Sequence, residues 1–338
     1  MSYPTIDLPG AGGAEGEPSQ GFRLTPLSTG QILDRTFVLY RSRFALFAGL
    51  AVFPAAVALL FGLGQVAFLL ATHTPLINSA GPQFTTAYLT NQGIMLVGLL
   101  LRLCVYGISI AASNWCIARI YLGESASMKS GFDFAFLRWF RYVLMGLAQM
   151  WFILWLPTLV LMVAVAGLVG VGMTQPGARI LMGILAVVAI LGYFVWVVLN
   201  AIRVSLAIPA CVVEQLSIRA AIRRSRALLI TRKVRIFLMF LFIMALEMVF
   251  FAVLVPLAVL IPKMGPNGFL IYQLATLAIT FLFGVLVSPI AAISLCLFYF
   301  DERVRREGFD IEFLMNRAVP AAPALEAVPV VTEAPPEQ

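Results

Sequence analysis

Residues 203–261 read RVSLAIPACVVEQLSIRAAIRRSRALLITRKVRIFLMFLFIMALEMVFFAVLVPLAVLI, and this stretch decides the fold. Its second half, Ile236–Ile261, carries one charged residue, Glu247. A helix needs about 20 consecutive apolar residues to cross a bilayer, whereas a helix in a soluble core does not need such a run. The middle of the stretch, Ser217–Ile230, has a different pattern. At about 100° per residue, Ile218, Ala221, Ile222, Ser225, Leu228 and Leu229 share one face. Arg219, Arg223, Arg224 and Arg226 share the other, and Ser217 stands where an N-cap belongs. A basic amphipathic segment ahead of a span is the pattern of a helix lying in the membrane interface.

The same logic extends along the chain. Apolar runs at Phe44–Ala71, Ile94–Ala118, Val143–Met173, Ile180–Ala201 and Phe269–Phe300 bring the total to six spans. Hydrophobic residues are 61% and charged residues 12%, against about 25% charged in soluble domains. Without water in the bilayer the backbone must satisfy itself, so the spans are helices. Barrel strands alternate over about ten residues, which these runs do not. The expected architecture is an all-α, polytopic membrane protein of six transmembrane helices with three cytoplasmic-side interfacial amphipathic helices. The membrane domain covers 22–315. Tails at 1–21 and 316–338, rich in Gly, Pro, Ala and Glu, are expected to be disordered.

Charge fixes the expected topology. Of 23 Lys and Arg residues, 20 fall in alternate gaps between spans, two in the others (Arg179 and Lys263), and Arg102 inside a span. Basic loops face the cytoplasm, so both termini are placed inside. The net charge of +7 belongs beside anionic lipid headgroups rather than on nucleic acid. Arg219, Arg223, Arg224 and Arg226 are the candidate lipid contacts. Cys104, Cys116, Cys211 and Cys296 lie in or beside apolar runs, with no Cys-x-x-Cys spacing and no implied disulfide or metal.

The basic amphipathic unit recurs. Ser28–Arg43 and Ser127–Tyr142 also open on a Ser and precede a span, with Phe132, Phe136, Trp139 and Phe140 expected to enter the interface. Three units of interfacial helix plus membrane hairpin result, unless any basic loop before a span simply looks this way. A repeat would agree with the pseudo-symmetry frequent in transporters.

Arg102 and Glu247 are the charges inside spans, and they form the candidate intramembrane polar site. A charge at such depth costs several kcal/mol unless paired, hydrated or neutralised. Two readings stand. They line a proton or substrate path, or Arg102 snorkels outward and Glu247 is protonated or hydrogen-bonded between helices. Their depths differ by roughly 9 Å at 1.5 Å per residue, which argues against a direct pair. Gln149, Asn114 and Asn200 are expected as interhelical hydrogen-bonders, and Gly167, Gly170 and Gly172 as points of close helix approach. Pro54, Pro157, Pro209, Pro256 and Pro289 predict kinks.

No catalytic constellation is present in the sequence. His73 is the single histidine, and no phosphate loop occurs. Asp301, Glu302, Glu307, Asp310 and Glu312 are interleaved with Arg303, Arg305 and Arg306, which reads as a solvated or headgroup-level helix rather than a metal site. No cofactor is expected.

Three stretches carry a family resemblance: LSTGQILDRTFVLYRSRFALF (27–47), RVSLAIPACVVEQLSIRAAIRRSRALL (203–229) and FYFDERVRREGFDIEFL (298–314). They resemble the membrane domain attached to some bacterial glycerophosphoryl diester phosphodiesterases and its free-standing relatives of unknown function. That family's catalytic barrel has no counterpart here, so no catalytic residue carries over. The resemblance implies a bacterial cytoplasmic-membrane protein that assists lipid or envelope metabolism. The functional expectation is a non-catalytic membrane protein organising lipid or a partner protein at the cytoplasmic face. The alternative is a transporter of a small or lipidic solute.

Overall fold

The computed structural model of the chain describes residues 26–72, 86–174, 177, 179–229, 233–260, 265–311 and 315. The expected disordered tails, 1–21 and 316–338, and His73 lie outside the described residues. Among these residues twelve α-helices run in the order α1 (Thr29–Ser42), α2 (Phe44–Ala71), α3 (Thr86–Tyr121), α4 (Met128–Leu137), α5 (Trp139–Met150), α6 (Leu156–Thr174), α7 (Arg179–Val204), α8 (Ala207–Val213), α9 (Ile218–Leu228), α10 (Lys233–Leu260), α11 (Gly268–Leu286) and α12 (Ser288–Glu307). Among the described residues there is no strand. The protein is an all-α polytopic membrane protein, with six segments long and apolar enough to cross a bilayer: Phe44–Ala71, Leu89–Tyr121, Trp139–Gly172, Ile180–Val213, Val234–Leu260 and Gly268–Glu307.

The three basic amphipathic helices are α1, α4 and α9, and their N-caps are Ser28, Ser127 and Ser217. Ser28 with Gln31, and Ser127 with Ser130, close reciprocal capping boxes that satisfy first-turn N–H groups. Arg43 and Arg138 both sit at the joint between amphipathic helix and span, with φ −126°, ψ 36° and φ −135°, ψ 35°. The same bend therefore occurs twice, as a repeat would have it.

The apolar faces of these helices are covered largely by the protein itself. The apolar face of α9 does not lie open to lipid: Ala221, Ile222, Ser225 and Leu228 are buried within the protein. Ile32, Thr36 and Leu39 of α1 are buried as well. In α4 the face is divided. Gly131 and Ala135 are buried, while Phe136, Leu137, Trp139 and Phe140 at its end are exposed. Ile230, the last residue of the expected segment, lies outside the described residues.

Helices break near Pro209 and Pro289 but run on through Pro54 and Pro256, and at several of these positions another element satisfies a backbone group left free. Pro54 cannot donate to Leu50 O, and Ser109 Oγ of α3 does so at 2.6 Å. A π-helical turn, Trp151–Trp155, precedes Pro157. The α7–α8 break lies just before Pro209. There Ser225 Oγ of α9 donates to Arg203 O at 2.9 Å and accepts from Leu206 N at 3.2 Å. At the α11–α12 break, Tyr40 of α1 donates to Leu286 O at 2.9 Å. α10 runs unbroken through Pro256.

The protein core gathers at one end. Phe298, Tyr299 and Phe300 of α12 are fully buried, packed with residues of α1, α3, α8 and α9. At Gly107 a Cβ would stand 3.0 Å from Val143 Cα, so α3 and α5 meet backbone to backbone there. The expected close approach at Gly167 and Gly170 is not found, since nothing lies within 4 Å of a Cβ at either. Away from the core end, α6, α7 and α10 turn residues such as Val163, Leu191 and Met248 outward. In lipid that exposure carries no hydrophobic penalty.

Candidate functional site

Leu27, the α8–α9 region, the start of α10 and the end of α12 converge at the core end and bring a set of paired charges with them. The apolar run Leu297–Phe300 fixes the last helix, and the charged residues that follow remain helical. Asp301–Arg305 and Glu302–Arg306 are spaced i, i+4 as ion pairs, and Arg303–Glu307 likewise. Asp301 and Glu302 are 1% and 0% exposed. Asp301 accepts from Leu27 N at 2.7 Å and from Arg305 Nε at 3.0 Å, and pairs with Arg235 Nη1 at 2.9 Å. Glu302 pairs with the same Arg235 nitrogen at 3.3 Å. Arg235 Nη2 and Arg305 Nη2 both donate to Leu27 O, at 2.7 and 2.6 Å. The reading of these carboxylates as solvated is thereby overturned for Asp301 and Glu302. Glu312 lies outside the described residues.

A second knot adjoins the first. Arg224 Nε donates to Glu214 Oε1 at 3.0 Å and its Nη2 to Glu307 Oε2 at 2.6 Å. Arg303 Nε donates to Glu307 Oε2 at 3.2 Å, and Tyr299 donates to Glu214. The Glu307 hydrogen bond chiefly raises the Arg224 pKa above the ordinary arginine value, against the opposing effect of burial. Arg224 was expected to contact lipid with its neighbours. It is instead committed to carboxylates within the protein. Arg219, Arg223 and Arg226 remain exposed on the outer face of α9.

Buried ion pairs tie elements together but confer no chemistry by themselves. Among the described residues, no group of three or more His, Cys, Asp or Glu side chains is placed to hold a metal. What the end presents outward is cationic and aromatic. The exposed arginines of α9 stand at the same end as exposed Phe37, Phe44, Phe136, Trp139 and Phe140. Trp belongs to the aromatic belt at the headgroup level of a bilayer, and Phe beside basic residues is typical of the apolar side of an interfacial helix.

Arg102 and Glu247 do not meet, as their difference in depth along the spans predicts. Arg102 and Glu247 form no ion pair with each other among the described residues; both are on outward surfaces. Arg102 Nη2 reaches Ala58 O at 3.5 Å, a marginal hydrogen bond. Glu247 is within electrostatic reach of Tyr106, one turn along from Arg102. Arg102, Tyr106, Ser109 and Ser113 fall within about 60° on α3, a polar stripe whose 4-7-11 spacing was present in the sequence. Tyr106, Ser109 and Ser113 line a recess of about 80 Å³ with Pro54, Ser288 and Pro289. At roughly 30 Å³ per water, it has space for two or three waters.

Of the expected interhelical hydrogen-bonders, Gln149 meets the expectation: its Nε2 donates to Val204 O at 2.7 Å. Asn114 and Asn200 turn back instead to Ile110 O and Trp196 O of their own helices. Comparison with known proteins returns nothing to set beside this site. No family model, no curated protein and no solved structure matches the chain.

Proposed function

We propose that the chain is a non-catalytic integral membrane protein that organises anionic lipid, or a partner protein held with it, at the basic end of its bundle. The observation that carries this reading is α9. Its inner face is buried and its Arg224 is ion-paired, so Arg219, Arg223 and Arg226 are held outward as a fixed array. Each cation close to an anionic surface contributes about 1 kcal/mol, and less where several compete. Excess Lys and Arg at this end supports placing it in the cytoplasm, under the inner leaflet of a bacterial cytoplasmic membrane. The three stretches that resemble the phosphodiesterase-associated membrane domain contribute Leu27, Glu214, Arg224, Asp301 and Glu307 to the charge network. That supports a role beside lipid metabolism.

The polar stripe on α3 favours the alternative, a transporter. The recess beside it is a few waters in size and does not form a path for a solute, so this reading is second. The experiment is lipid analysis of the full chain purified in mild detergent from membranes of known composition. Phosphatidylglycerol should be enriched over phosphatidylethanolamine relative to the membrane. Replacing Arg219, Arg223 and Arg226 together by Ala should reduce that enrichment severalfold. An unchanged lipid ratio in the triple variant overturns the proposal.

A further inference from the structure

Arg138 and Arg141 take no part in the ion pairs of the basic end: no carboxylate pairs with either among the described residues. Nε and Nη2 of Arg141 are buried and find no hydrogen-bond partner among those residues, while its guanidinium lies against Cys211 of α8. Arg138, at the α4–α5 joint, donates to Gln215 Oε1. Gln215 holds a φ of +53°, a left-handed conformation uncommon outside glycine, in the turn between α8 and α9. Two cations with unspent donors, one of them half-buried with two of its nitrogens shielded from water, are thus set around a strained turn. Guanidinium nitrogens shielded in this way call for an anion.

The surface that continues from this point is apolar. A groove of about 370 Å³ runs along α5 and the π turn, lined by Leu144, Ala148, Trp151, Trp155 and Ile218. Leu144, Ala148 and Trp151 follow Arg141 at separations of 3, 7 and 10 residues, which places all four within about 80° on one helix face. Trp151 and Trp155 stand 6.2 Å apart, centroid to centroid, at the far end. From Arg141 to Trp155 the helix rises about 21 Å, more than one leaflet's half of a hydrocarbon core about 30 Å thick. Exposed Phe136, Trp139 and Phe140 beside Arg138 put the cationic end at headgroup depth.

We propose that the cleft between α5 and the α8–α9 turn is a binding site for one anionic phospholipid, with its phosphate on Arg138 and Arg141 and an acyl chain along the groove to Trp155. A free anion would use the two arginines but not the groove. A zwitterionic lipid would use the groove but leave the net positive charge uncompensated. The inference rests on the reading of the basic end as a lipid-gathering surface and assigns to it one defined site.

The test uses the full chain in detergent, titrated with phosphatidylglycerol whose acyl chains carry bromine, a contact quencher of tryptophan. Quenching should saturate at one lipid and be at least tenfold weaker with brominated phosphatidylcholine. Trp155→Leu should remove part of the quenched signal. Arg138→Gln, at an exposed position, should weaken the lipid several-fold and leave the fold intact, and Arg141→Gln should weaken it tenfold or more. Replacing Arg219, Arg223 and Arg226 should lower total lipid retention yet leave this saturable phase. If both glutamine variants quench like the parent while the triple variant loses lipid, this site is refuted and the broader reading survives. If phosphatidylcholine quenches equally and the triple variant changes nothing, both fall. Displacement of the brominated lipid by millimolar inorganic phosphate alone would overturn the lipid assignment.

Discussion

Asp301 is the residue on which the basic end turns. It is 1% exposed and faces three donors from three parts of the chain: Leu27 N, Arg235 and Arg305. Asp301→Asn keeps the shape and removes the charge. Breaking a buried pair costs about 3–5 kcal/mol, and the low end, about 3 kcal/mol, is expected because Glu302 still faces Arg235. Unfolding in mixed detergent and denaturant, followed by circular dichroism, measures it. A loss under about 1 kcal/mol would show that the network is hydrated and loose. Glu247 has the opposite character. It lies on an outward surface with no ion-pair partner among the described residues, so Glu247→Gln should change stability by under about 0.5 kcal/mol. Arg102→Leu should not be rescued by Glu247→Gln. A double-mutant cycle with more than about 1 kcal/mol of coupling contradicts the separation seen here.

At the scale of the element, α9 shows what periodicity does and does not encode. The serine caps, the length of the helix and the partition of Arg from apolar residues were all legible, because caps and period 3.6 are local properties. What covers the apolar face is not local. The available signal was size: Ala221 and Ser225 are small for a face meant to enter lipid, and small residues mark close packing between helices. Ser225 in fact supplies both hydrogen bonds at the α7–α8 break. The buried acids of α12 were missed for a related reason. Composition placed Asp301 and Glu302 among arginines, but the cation that both of them face, Arg235, lies 66 and 67 residues away in sequence. The two readings of α9 predict opposite responses. On a lipid-facing surface Ala221→Leu would add apolar area and strengthen membrane contact. In the packed position found here, with Ala221 at 0% exposure, the added carbons overfill the core and should destabilise by about 1–3 kcal/mol. Arg223→Leu, on the exposed face, serves as the control and should leave the melting temperature nearly unchanged.

For the whole molecule, orientation becomes a single yes-or-no question. The six spans each follow from an apolar run, and the alternation of Lys and Arg between gaps assigns a side to every loop. The charge network adds a constraint that counting cannot give. Leu27, Glu214, Arg224, Arg235, Asp301 and Glu307 come from before the first span, after the fourth, from the start of the fifth and from the end of the sixth, yet are joined by direct hydrogen bonds and ion pairs. If one of these positions is cytoplasmic, all are, and an odd number of crossings between any two of them is impossible in the folded protein. Reporter fusions or cysteine labelling at Thr86 and Arg224 should therefore read outside and inside, and a site just before Leu27 should match Arg224. Two failures are distinct. If Thr86 reads inside while Arg224 and the Leu27 site both read outside, the structure stands and the charge rule has been applied with the wrong sign. If the Leu27 site and Arg224 read on opposite sides, the network does not exist in the membrane, and the span count fails with it.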